Sequence, residues 1–453
     1  MDITTKAFGA YDLRGIYPQE VNEELYYRIG RVFPHLFHVR QVVVGHDIRI
    51  SGGTLSEALT KGLNEAGCGV VDIGLCGTEM IYHAAGKTDG GLMITASHNP
   101  KEYNGLKLVK RGAVPLDKAE LKLLAEAVQD EAELPAAAAV HGKAEKKDML
   151  EDYLQRILSF VDVKALKPLK VVANSGNGSA GPVVDALAQY LPFEIIPVYG
   201  EPDGSFPHGV PNPLLPENRE ATAKAVVEYG ADFGVAWDGD FDRCFLYDEQ
   251  GNFIEGYYMV GFLAQAFLEK NKGARVVYDP RCIWNTIELV EEAGGEPIIC
   301  KGGHAFIKAK MREVDAVYGG EMSAHHYFRD FSYCDSGMIP WLLVAELMSR
   351  KNESLSSLLK KRMEKYPVSG EINTKLESVE TAATIMTKVE DAYSVHAKKV
   401  QHIDGLSVDM GDWRFNLRRS NTEPLLRLNV EARSDKALCQ AKAKELLDLI
   451  RRV

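Results

Sequence analysis

Apolar and polar positions follow the same order three times along this chain. Each copy predicts a short apolar strand, a polar or glycine-rich loop, an amphipathic helix and a second short strand. The copies span 41–73, 169–196 and 275–299, with helices expected near 53–67, 180–190 and 283–293. Strand–helix–strand units of this length predict parallel strand pairs with right-handed crossovers. Because the copies are irregularly spaced, they indicate three related α/β domains rather than a solenoid.

The pattern changes beyond residue 366. A helix is expected near 377–394, strands near 406–432 and a final helix from about 436, which is typical of a smaller α+β domain. A low-complexity segment at 132–147 suits a domain junction, and a second boundary is expected at 366–370. The sequence therefore predicts four domains, which are 1–147, 148–253, 254–366 and 367–453.

Composition restricts the class of protein. The chain has 453 residues, 45% hydrophobic and 26% charged, which is typical of a multidomain globular protein. Its net charge of −11 argues against broad binding to nucleic acid or anionic membranes. No apolar run approaches the roughly 20 residues of a membrane span, and the first residues lack the apolar core of a signal peptide. With seven scattered cysteines and no Cys-x-x-Cys pair, we expect a cytoplasmic protein with free thiols.

A serine loop follows one predicted strand. The apolar run at 91–94 leads into the sequence TASHNP at 95–100. Pro100 has no N–H and biases Asn99 away from helix, so the Ser97 hydroxyl is expected on a rigid loop. Ligands of open α/β folds bind at such strand ends. A serine placed there can accept and return a phosphoryl group, although an ordinary turn is the other interpretation.

An acidic loop lies between two apolar runs farther along. Asp238, Asp240 and Asp242 occupy alternate positions and converge on one point if the backbone is nearly extended. Such a cluster repels itself without a cation, and its hard oxygen ligands suit Mg²⁺. An EF-hand loop fits the spacing only partly, because Arg243 stands where that loop needs glycine. A solvated acidic turn remains the other alternative.

Several polar groups suit a phosphorylated sugar. Arg418, in the donor-rich loop at 417–424, offers a planar fork that matches phosphate oxygens. Glu321 and Ser323 alternate, which suits two adjacent sugar hydroxyls. Other candidates carry weaker signals, since each is also compatible with a surface charge or a buried structural side chain; they are Tyr11, Arg14, Lys107, Lys301, His304 and His325.

Together these motifs resemble the α-D-phosphohexomutase family over the whole chain, and most closely its bacterial phosphomannomutase branch. The resemblance lies in the segments 10–15, 95–100, 238–243, 320–323 and 418–422. It implies three α/β domains with mixed sheets and a C-terminal α+β domain that binds phosphate, arranged around a central cleft.

The resemblance also implies roles for individual residues. Ser97 is expected to be the phosphoserine and to hold Mg²⁺ with Asp238, Asp240 and Asp242. Substrate contacts are expected from Tyr11, Lys301, His304, Glu321 and Ser323, and contacts to the distal phosphate from Arg418, Ser420, Asn421 and Thr422. Residues expected close to the transferred group are Arg14, Lys107 and His325, with His98 and Arg243 in support.

The implied reaction interconverts mannose 6-phosphate and mannose 1-phosphate and feeds GDP-mannose synthesis. It passes through a hexose 1,6-bisphosphate, which also acts as an activator. The expected partners are small phosphosugars, with no nucleic acid and no membrane, and the expected assembly is a monomer or homodimer. Alternatives are a phosphoglucomutase or dual enzyme, a phosphatase with an Asp-x-Asp nucleophile at Asp238 and Asp240, and a calcium-stabilised binding protein.

Two departures from the family pattern are visible. Gly302 stands where the family often has threonine, so we expect a looser loop around Lys301 and His304. Residues 77–80, with the sequence GTEM, replace a Thr-Pro that many relatives have. This second departure is typical of the phosphomannomutase-like branch.

Overall fold

The structure is a computed structural model, and it describes residues 5–9, 11–129, 134–281, 283–419 and 425–452. Within these ranges no helix combines the length and the apolar character needed to cross a membrane. Six cysteines fall in the described ranges, and all six are buried thiols. Cys244 is one of them, and burial raises the pKa of its thiol, as expected for a packed small residue.

The first domain is built around a mixed sheet. Its strands are β1 (Leu13–Ile16), β2 (Gln41–His46), β3 (Gly69–Leu75), β4 (Gly90–Ile94), β5 (Tyr103–Lys110), β6 (Val114–Pro115) and β7 (Ala144–Lys146). Its helices are α1 (Glu23–Phe37), α2 (Gly52–Glu65), α3 (Thr78–Ala85) and α4 (Lys118–Ala127). The strand order is β1-β5-β4-β2-β3-β7. The predicted parallel pair of β2 and β3 is confirmed, and β4 pairs in parallel on the other side of β2.

The expected domain junction at 132–147 contributes to this sheet. β7 pairs in parallel with β3. Ala138 N–H and Gly142 N–H donate to carbonyls of α2 residues, Glu65 and Asn64, at 2.8 Å each. Backbone pairing needs no apolar periodicity, so the low complexity of the segment concealed its edge strand.

A second mixed sheet carries the acidic loop. Its strands are β8 (Lys170–Asn174), β9 (Glu194–Val198), β10 (Phe233–Trp237), β11 (Cys244–Tyr247) and β12 (Phe253–Ile254). The accompanying helices are α5 (Leu150–Leu158), α6 (Gly181–Ala188) and α7 (Glu220–Tyr229). β8 pairs in parallel with β9 and β10, whereas β10 and β11 are antiparallel. The acidic loop therefore connects two neighbouring antiparallel strands that are buried along their length.

The third copy of the repeat follows. Its helices are α8 (Gly256–Lys270), α9 (Trp284–Glu292), α10 (His304–Val314), α11 (Met338–Lys351) and α12 (Leu355–Lys365). Its strands are β13 (Arg275–Tyr278), β14 (Glu296–Ile299), β15 (Tyr318–Gly320), β16 (His326–Phe328) and β17 (Cys334–Asp335). β13 pairs in parallel with β14, as predicted, and also with β15, while β16 and β17 are antiparallel.

The last domain is an antiparallel sheet with two helices. Its elements are β18 (Val368–Lys375), α13 (Val379–Tyr393), β19 (Lys399–Gln401), β20 (Leu406–Asp409), β21 (Trp413–Arg419), β22 (Leu425–Ala432) and α14 (Lys436–Arg451). The strand order is β18-β22-β21-β20-β19. Apolar residues of the strands and of both helices share one core. The predicted fold class of three α/β domains and a terminal α+β domain is confirmed.

The chain forms two compact units. The first contains Met1–Phe253 and His325–Ser354, and the second contains Ile254–Ala324 and Leu355–Val453. Residues of the expected third domain, 254–366, thus belong to both units, because β16, β17 and α11 cluster with the first.

Candidate active site

The serine loop has an unusual backbone. Ser97 adopts a left-handed conformation, with φ at 49°, which is uncommon for a residue other than glycine. Its N–H bonds to Thr95 Oγ1 at 2.8 Å, and Asn99 N–H closes a turn onto the Ala96 carbonyl at 2.9 Å. The loop thus holds the Ser97 side chain in a fixed direction, and that side chain is buried.

Arg49, which the sequence did not single out, fastens this loop. Its guanidinium donates to four carbonyl oxygens, those of Ser97 at 2.9 Å, Asn99 at 2.6 Å, Pro100 at 2.7 Å and Tyr103 at 2.9 Å. A planar fork is suited to such multiple acceptors. Arg49 is therefore a positioning residue for the loop that carries Ser97.

Asp47 completes this support. It accepts from Thr95 Oγ1 at 2.6 Å and lies 3.4 Å from Arg49 Nε. The sequence did contain a signal, because Asp47 and Arg49 directly follow the apolar strand β2. Charged residues at the end of a buried strand are candidates for a site in α/β folds.

The three aspartates of the acidic loop converge. Carboxylate oxygens of Asp238, Asp240 and Asp242 lie within 4.8 Å of one another, and all three residues are buried. The nearly extended backbone that was the condition for this convergence is not present, since Phe241 has φ at 46° and its N–H closes a turn onto the Asp238 carbonyl at 3.1 Å. Convergence is produced by this turn. The flanking elements are strands, so the EF-hand interpretation is also wrong.

Ser97 contacts the acidic loop directly. Its Oγ donates to Asp238 Oδ2 at 2.7 Å and lies 3.0 Å from His98 Nδ1. Arg243 donates from Nε to the same Asp238 oxygen at 2.8 Å and from Nη2 to Ser97 Oγ at 3.2 Å. Burial raises the pKa of Asp238 to about 6, against the opposing charge of Arg243. Burial and Arg243 also hold the pKa of His98 well below its ordinary value.

Lys107, on β5, reaches the other two carboxylates. Its Nζ donates to Asp240 Oδ2 at 2.7 Å and to Asp242 Oδ2 at 2.5 Å. Burial disfavours the charged ammonium, but the carboxylates of Asp240 and Asp242 outweigh it and raise the pKa of Lys107. The structure thus places Lys107, which is expected close to the transferred group, against two carboxylates of the acidic loop.

The donor set suits a hard divalent cation. Asp240 Oδ1 is buried and has no hydrogen-bond partner in the part of the chain that the structure describes. Two further carboxylates and the Ser97 hydroxyl surround the same region. A few oxygen ligands with no nitrogen or sulfur among them fit Mg²⁺. The acidic cluster can therefore hold the expected metal.

Two more expected residues lie in this region. Arg14 donates from Nη1 to Asn99 Oδ1 at 2.6 Å and from Nε to Asp12 at 3.0 Å, so it contacts the serine loop. His325 Nε2 lies 3.6 Å from Asp242 Oδ1, and its backbone bridges to Arg243. Tyr11, an expected substrate contact, packs against the apolar core of the first domain.

The departure at 77–80 also supports the acidic loop. Thr78 donates from Oγ1 to the Asp240 carboxylate and from its N–H to the Asp240 carbonyl at 3.1 Å. At Gly77, a Cβ atom would lie 2.2 Å from the Phe241 ring. The glycine thus gives room to the residue that forms the aspartate turn.

Glu79, in the same segment, connects α3 to the start of α11, which lies far away in the sequence. Its carboxylate accepts from Ser336 Oγ and from the N–H groups of Gly337 at 3.0 Å and Met338 at 3.1 Å. These donors form the N-terminal end of α11, where a carboxylate is favoured. Burial raises the pKa of Glu79 to about 8, although these hydrogen bonds oppose the shift.

In the second unit, Glu321 and Ser323 lie in a turn after β15. The Ala324 N–H bonds to the Glu321 carbonyl at 3.1 Å, so the alternating pair of Glu321 and Ser323 lies in a turn and not in a strand. Glu321 Oε1 accepts from the Gly303 N–H at 2.7 Å and lies 3.5 Å from Arg281 Nη2. These two contacts fix the position of the Glu321 carboxylate.

The loop around Gly302 is tied down rather than loose. The Gly302 N–H donates to Asp404 Oδ2 at 3.3 Å, next to the bond from Gly303 to Glu321. Lys301 Nζ lies 4.9 Å from the centre of the Phe306 ring, and His304 is the first residue of α10. The threonine-to-glycine departure has therefore not freed the backbone of this loop.

Arg418 lies near the end of β21, and its guanidinium makes only long contacts with the acidic groups around it. Its Nη2 is 3.4 Å from Glu371 Oε2 and its Nη1 is 3.9 Å from Asp404 Oδ2. Its Nε is buried and has no hydrogen-bond partner within the described ranges. Such a group retains donors for an anion. The expected phosphate contacts Ser420, Asn421 and Thr422 lie outside the described residues.

Comparison with known proteins agrees with this geometry. Four models of the phosphoglucomutase/phosphomannomutase family match the chain in order. They are alpha/beta/alpha domain I at 5–135, domain II at 151–251, domain III at 255–366 and the C-terminal domain at 371–448.

Individual relatives match over nearly their full length. A protein of Xanthomonas campestris pv. campestris described as "Phosphohexose mutases" is 55% identical, over 99% of this chain and all of the relative. A phosphomannomutase of Escherichia coli K12 is 52% identical over 98% of each chain. The crystal structure of a phosphoglucomutase/phosphomannomutase family protein from Burkholderia thailandensis superposes with a TM-score of 0.86, at 31% identity, over 99% of this chain and 98% of that one. The chain therefore belongs to the phosphoglucomutase/phosphomannomutase family and is a phosphotransferring isomerase of the phosphohexomutase type.

Proposed function

We propose that this enzyme interconverts mannose 6-phosphate and mannose 1-phosphate through a phosphoserine at Ser97 and a hexose 1,6-bisphosphate. The observation that carries the proposal is the hydrogen bond from Ser97 Oγ to Asp238, inside a buried group of three carboxylates. A serine hydroxyl with a carboxylate acceptor on one side and the Arg243 guanidinium on the other is arranged to exchange a phosphoryl group.

In the first half-reaction, phosphorylated Ser97 donates its phosphoryl group to the free hydroxyl of the sugar phosphate. The P–O bond to Ser97 Oγ breaks as the sugar oxygen bonds to phosphorus, and the hydroxyl proton leaves to a base. Such transfers depend mainly on alignment and charge neutralisation. Arg243, which contacts Ser97 Oγ, and Lys107, which contacts Asp240 and Asp242, supply positive charge at this point.

In the second half-reaction, the other P–O bond between phosphorus and the sugar breaks as Ser97 Oγ bonds to that phosphorus, and the sugar oxygen takes up a proton. The hydroxyl proton has an acceptor in Asp238, to which it already points. When bound by Asp238, Asp240, Asp242 and Ser97, Mg²⁺ would neutralise charge on the phosphoryl oxygens. We assign the resting phosphate to Arg418, with Ser420, Asn421 and Thr422, and the sugar hydroxyls to Glu321 and Ser323.

The preference for mannose rests on similarity to proteins named phosphomannomutase. A phosphoglucomutase or a dual enzyme is the alternative, and the substrate preference of the enzyme distinguishes the three. The test is a coupled assay that compares kcat/KM for the 6-phosphates of mannose, glucose and glucosamine. We expect mannose 6-phosphate to be preferred, and equal or better use of glucose 6-phosphate would replace the mannose assignment.

The position of the phosphoryl group separates a mutase from a phosphatase. An enzyme with an Asp-x-Asp nucleophile would be labelled on Asp238 and would release inorganic phosphate. We expect peptide mass spectrometry to find the phosphate on Ser97, and added mannose 1,6-bisphosphate to restore it after turnover. A label on Asp238, with net release of phosphate, would support the phosphatase instead.

A further inference from the structure

A buried row of charged groups lies in the second unit. Arg281 is the first, and its guanidinium donates to Asp279, lies 3.5 Å from Glu321 Oε1 and lies 3.3 Å from Glu371 Oε2. Glu371 in turn lies 3.4 Å from Arg418 Nη2 and 3.5 Å from Arg427 Nη1. Acidic and basic groups therefore alternate from Glu321 to Arg418.

Glu371 is the only carboxylate in this row that touches three guanidiniums among the described residues. Burial favours its neutral form, but the charges of Arg281, Arg418 and Arg427 hold the pKa of Glu371 below its ordinary value. An ionised carboxylate at this point balances part of the positive charge that the arginines bring into the interior.

The strand register explains why such a carboxylate is needed. Arg418 on β21 and Arg427 on β22 are direct cross-strand partners. Like charges placed directly opposite each other are destabilising. Glu371 lies on β18, the strand next to β22, with Oε2 3.4 Å from Arg418 Nη2 and Oε1 3.5 Å from Arg427 Nη1, so its negative charge lies close to both guanidiniums.

An irregularity in the backbone of β18 directs the Glu371 side chain. The register of β18 against β22 shifts between Val368 and Glu371, and Gly370 within that irregularity has φ at 69°. Bulges of this kind change the direction in which a side chain points. The irregularity thus precedes the residue that enters the row of charges.

Gly302, which has no side chain, allows Asp404 to pack closely beside Glu321 and Arg281. A Cβ atom at this position would lie 2.9 Å from Asp404 Oδ2, 3.4 Å from Glu321 Oε1 and 3.5 Å from Arg281 Nη2. The threonine that the family often carries would require Asp404 to shift. In this chain Asp404 instead accepts from the Gly302 N–H and lies 3.9 Å from Arg418 Nη1.

We propose that Glu371 is a positioning residue for phosphate binding, which acts by holding the Arg418 guanidinium with its unbonded donors turned toward the ligand. The proposal rests on the proposed function, in which Arg418 binds the phosphate that is not being transferred. Glu371 contacts only Nη2 of Arg418, at a distance near the limit of a hydrogen bond, and Nε of Arg418 has no hydrogen-bond partner among the described residues, so the guanidinium keeps donors for a ligand. Without the Glu371 carboxylate, repulsion from Arg427 and Arg281 would move the Arg418 guanidinium away from the bound phosphate.

The test compares Glu371→Gln with the matched control Glu431→Gln. Glu431 is also a buried carboxylate of the same sheet, and it pairs with its cross-strand neighbour Arg414 at 2.6 Å. Both variants lose a buried ion pair, so both are expected to unfold at lower urea concentration. Only Glu371→Gln is expected to raise KM for mannose 6-phosphate, by about tenfold, which corresponds to one charge-assisted hydrogen bond. Its kcat should change little.

A double variant then shows through which residue Glu371 acts. Glu371→Gln combined with Arg418→Ala should have the same KM as Arg418→Ala alone, because the residue being positioned is gone. The dissociation constant of mannose 6-phosphate, measured by calorimetry in the Ser97→Ala background, should change in parallel with KM. This binding measurement does not depend on turnover.

Three results would overturn the proposal. They are an unchanged KM in Glu371→Gln, an equal rise in Glu431→Gln, and additive effects in the double variant. If the wild-type enzyme converts no hexose phosphate, the proposed function itself is wrong. That failure is recognised separately, because it appears in the wild type before any change at Glu371.

Discussion

The charged groups around Ser97 and those around Glu371 are both buried, but they are bonded differently. Around Ser97, the side-chain hydrogen bonds that join Ser97, Lys107 and Arg243 to one another and to the three aspartates are short, from 2.5 Å between Lys107 and Asp242 to 3.2 Å between Arg243 and Ser97. Around Glu371, the three contacts to guanidiniums measure 3.3 to 3.5 Å. Arg418 Nε, moreover, bonds to no described residue.

This difference matches what each region is proposed to bind. A serine that donates one phosphoryl group and then accepts the other at the same place needs one fixed geometry, which the arginine-fastened loop and the aspartate turn supply. A clamp that must accept either phosphate of a bisphosphate, in two orientations of the sugar, benefits from donors that are held but not fully used. The predictions below test the two halves of this contrast.

The largest effect is expected at Ser97. Ser97→Ala removes the acceptor of the phosphoryl group, so turnover should fall by at least about a thousandfold, as when other enzymes lose their nucleophile. Folding should be retained, since the loop is held through the backbone by Arg49. Intact mass spectrometry should find one phosphate on the active wild type and none on the variant. Ser159→Ala, at an exposed serine, is the control, and equal activity of both variants would exclude a phosphoserine at 97.

Weakening the metal site by Asp240→Asn is expected to have the next largest effect on activity. Asp240→Asn removes charge from the carboxylate that has an unbonded buried oxygen, so activity should fall by roughly a hundredfold, within the range by which one lost electrostatic contact lowers kcat. More Mg²⁺ should be needed for half-maximal activity. Activity is measured against Mg²⁺ concentration after EDTA treatment.

Asp248→Asn is the matched control for the metal. Asp248 is a buried aspartate that accepts from the N–H groups of Gln250 and Asn252 in the turn after β11. Its replacement should lower the free energy of unfolding without changing the Mg²⁺ dependence. Full activity of the wild type in EDTA would contradict a metal-assisted reaction.

Arg418 tests the incompletely bonded region. Arg418→Ala should raise KM by about ten- to a hundredfold, because charge-assisted hydrogen bonds contribute roughly 1.5–3 kcal/mol each. The fall in kcat should be smaller, because a clamp on the resting phosphate stabilises ground and transition states alike. Arg418→Lys should recover only part of the loss, since an ammonium lacks the planar fork.

The same variant should also release the bisphosphate intermediate more often. Added mannose 1,6-bisphosphate or glucose 1,6-bisphosphate should then partly restore activity by phosphorylating Ser97 again. The measurement is initial rate against bisphosphate concentration, in wild type and variant. An unchanged KM together with rates independent of bisphosphate would remove Arg418 from the phosphate site.

Much of the fold was predictable because its signals are local. The apolar runs at 41–45 and 275–278 correspond to β2 and β13, and the expected helix near 283–293 is α9, Trp284–Glu292. The serine and acidic loops were also recognisable, since each is a short polar segment between apolar runs. These features depend on residues that are neighbours in the sequence.

The supporting residues were not predictable because their partners are distant in the sequence. Arg49 bonds to carbonyls about fifty positions away, and Glu79 accepts from Ser336, 257 positions along the chain. The aspartate turn depends on the left-handed Phe241, which alternation of charged residues does not reveal. Glu371 acquires its role only when β18, β22 and β21 pair side by side.

The smallest effect on activity is expected at Glu79. Its replacement instead tests how a buried carboxyl group near the acidic loop contributes to stability. It lies next to Thr78, which bonds to Asp240, and its own carboxylate accepts from the start of α11. Burial raises its pKa to about 8, above the ordinary value of 4.5. Between these values the folded protein keeps a proton that the unfolded chain releases. The contribution of Glu79 to stability is therefore complete below about pH 4.5 and is lost as pH rises towards 8.

Glu79→Gln removes this titration while keeping an oxygen that can accept from Gly337 and Met338. Urea unfolding of both proteins at pH 5, 6.5 and 8 should show wild type losing stability relative to the variant as pH rises, because other titrating groups cancel in the difference. Activity should change less than in Ser97→Ala, Asp240→Asn or Arg418→Ala, since Glu79 touches neither Ser97 nor a described carboxylate of the acidic loop. Parallel stability curves would mean that Glu79 is ionised in the folded protein throughout this range. The hydrogen bonds from Ser336, Gly337 and Met338 would then outweigh burial, and an ionised Glu79 would stabilise the start of α11.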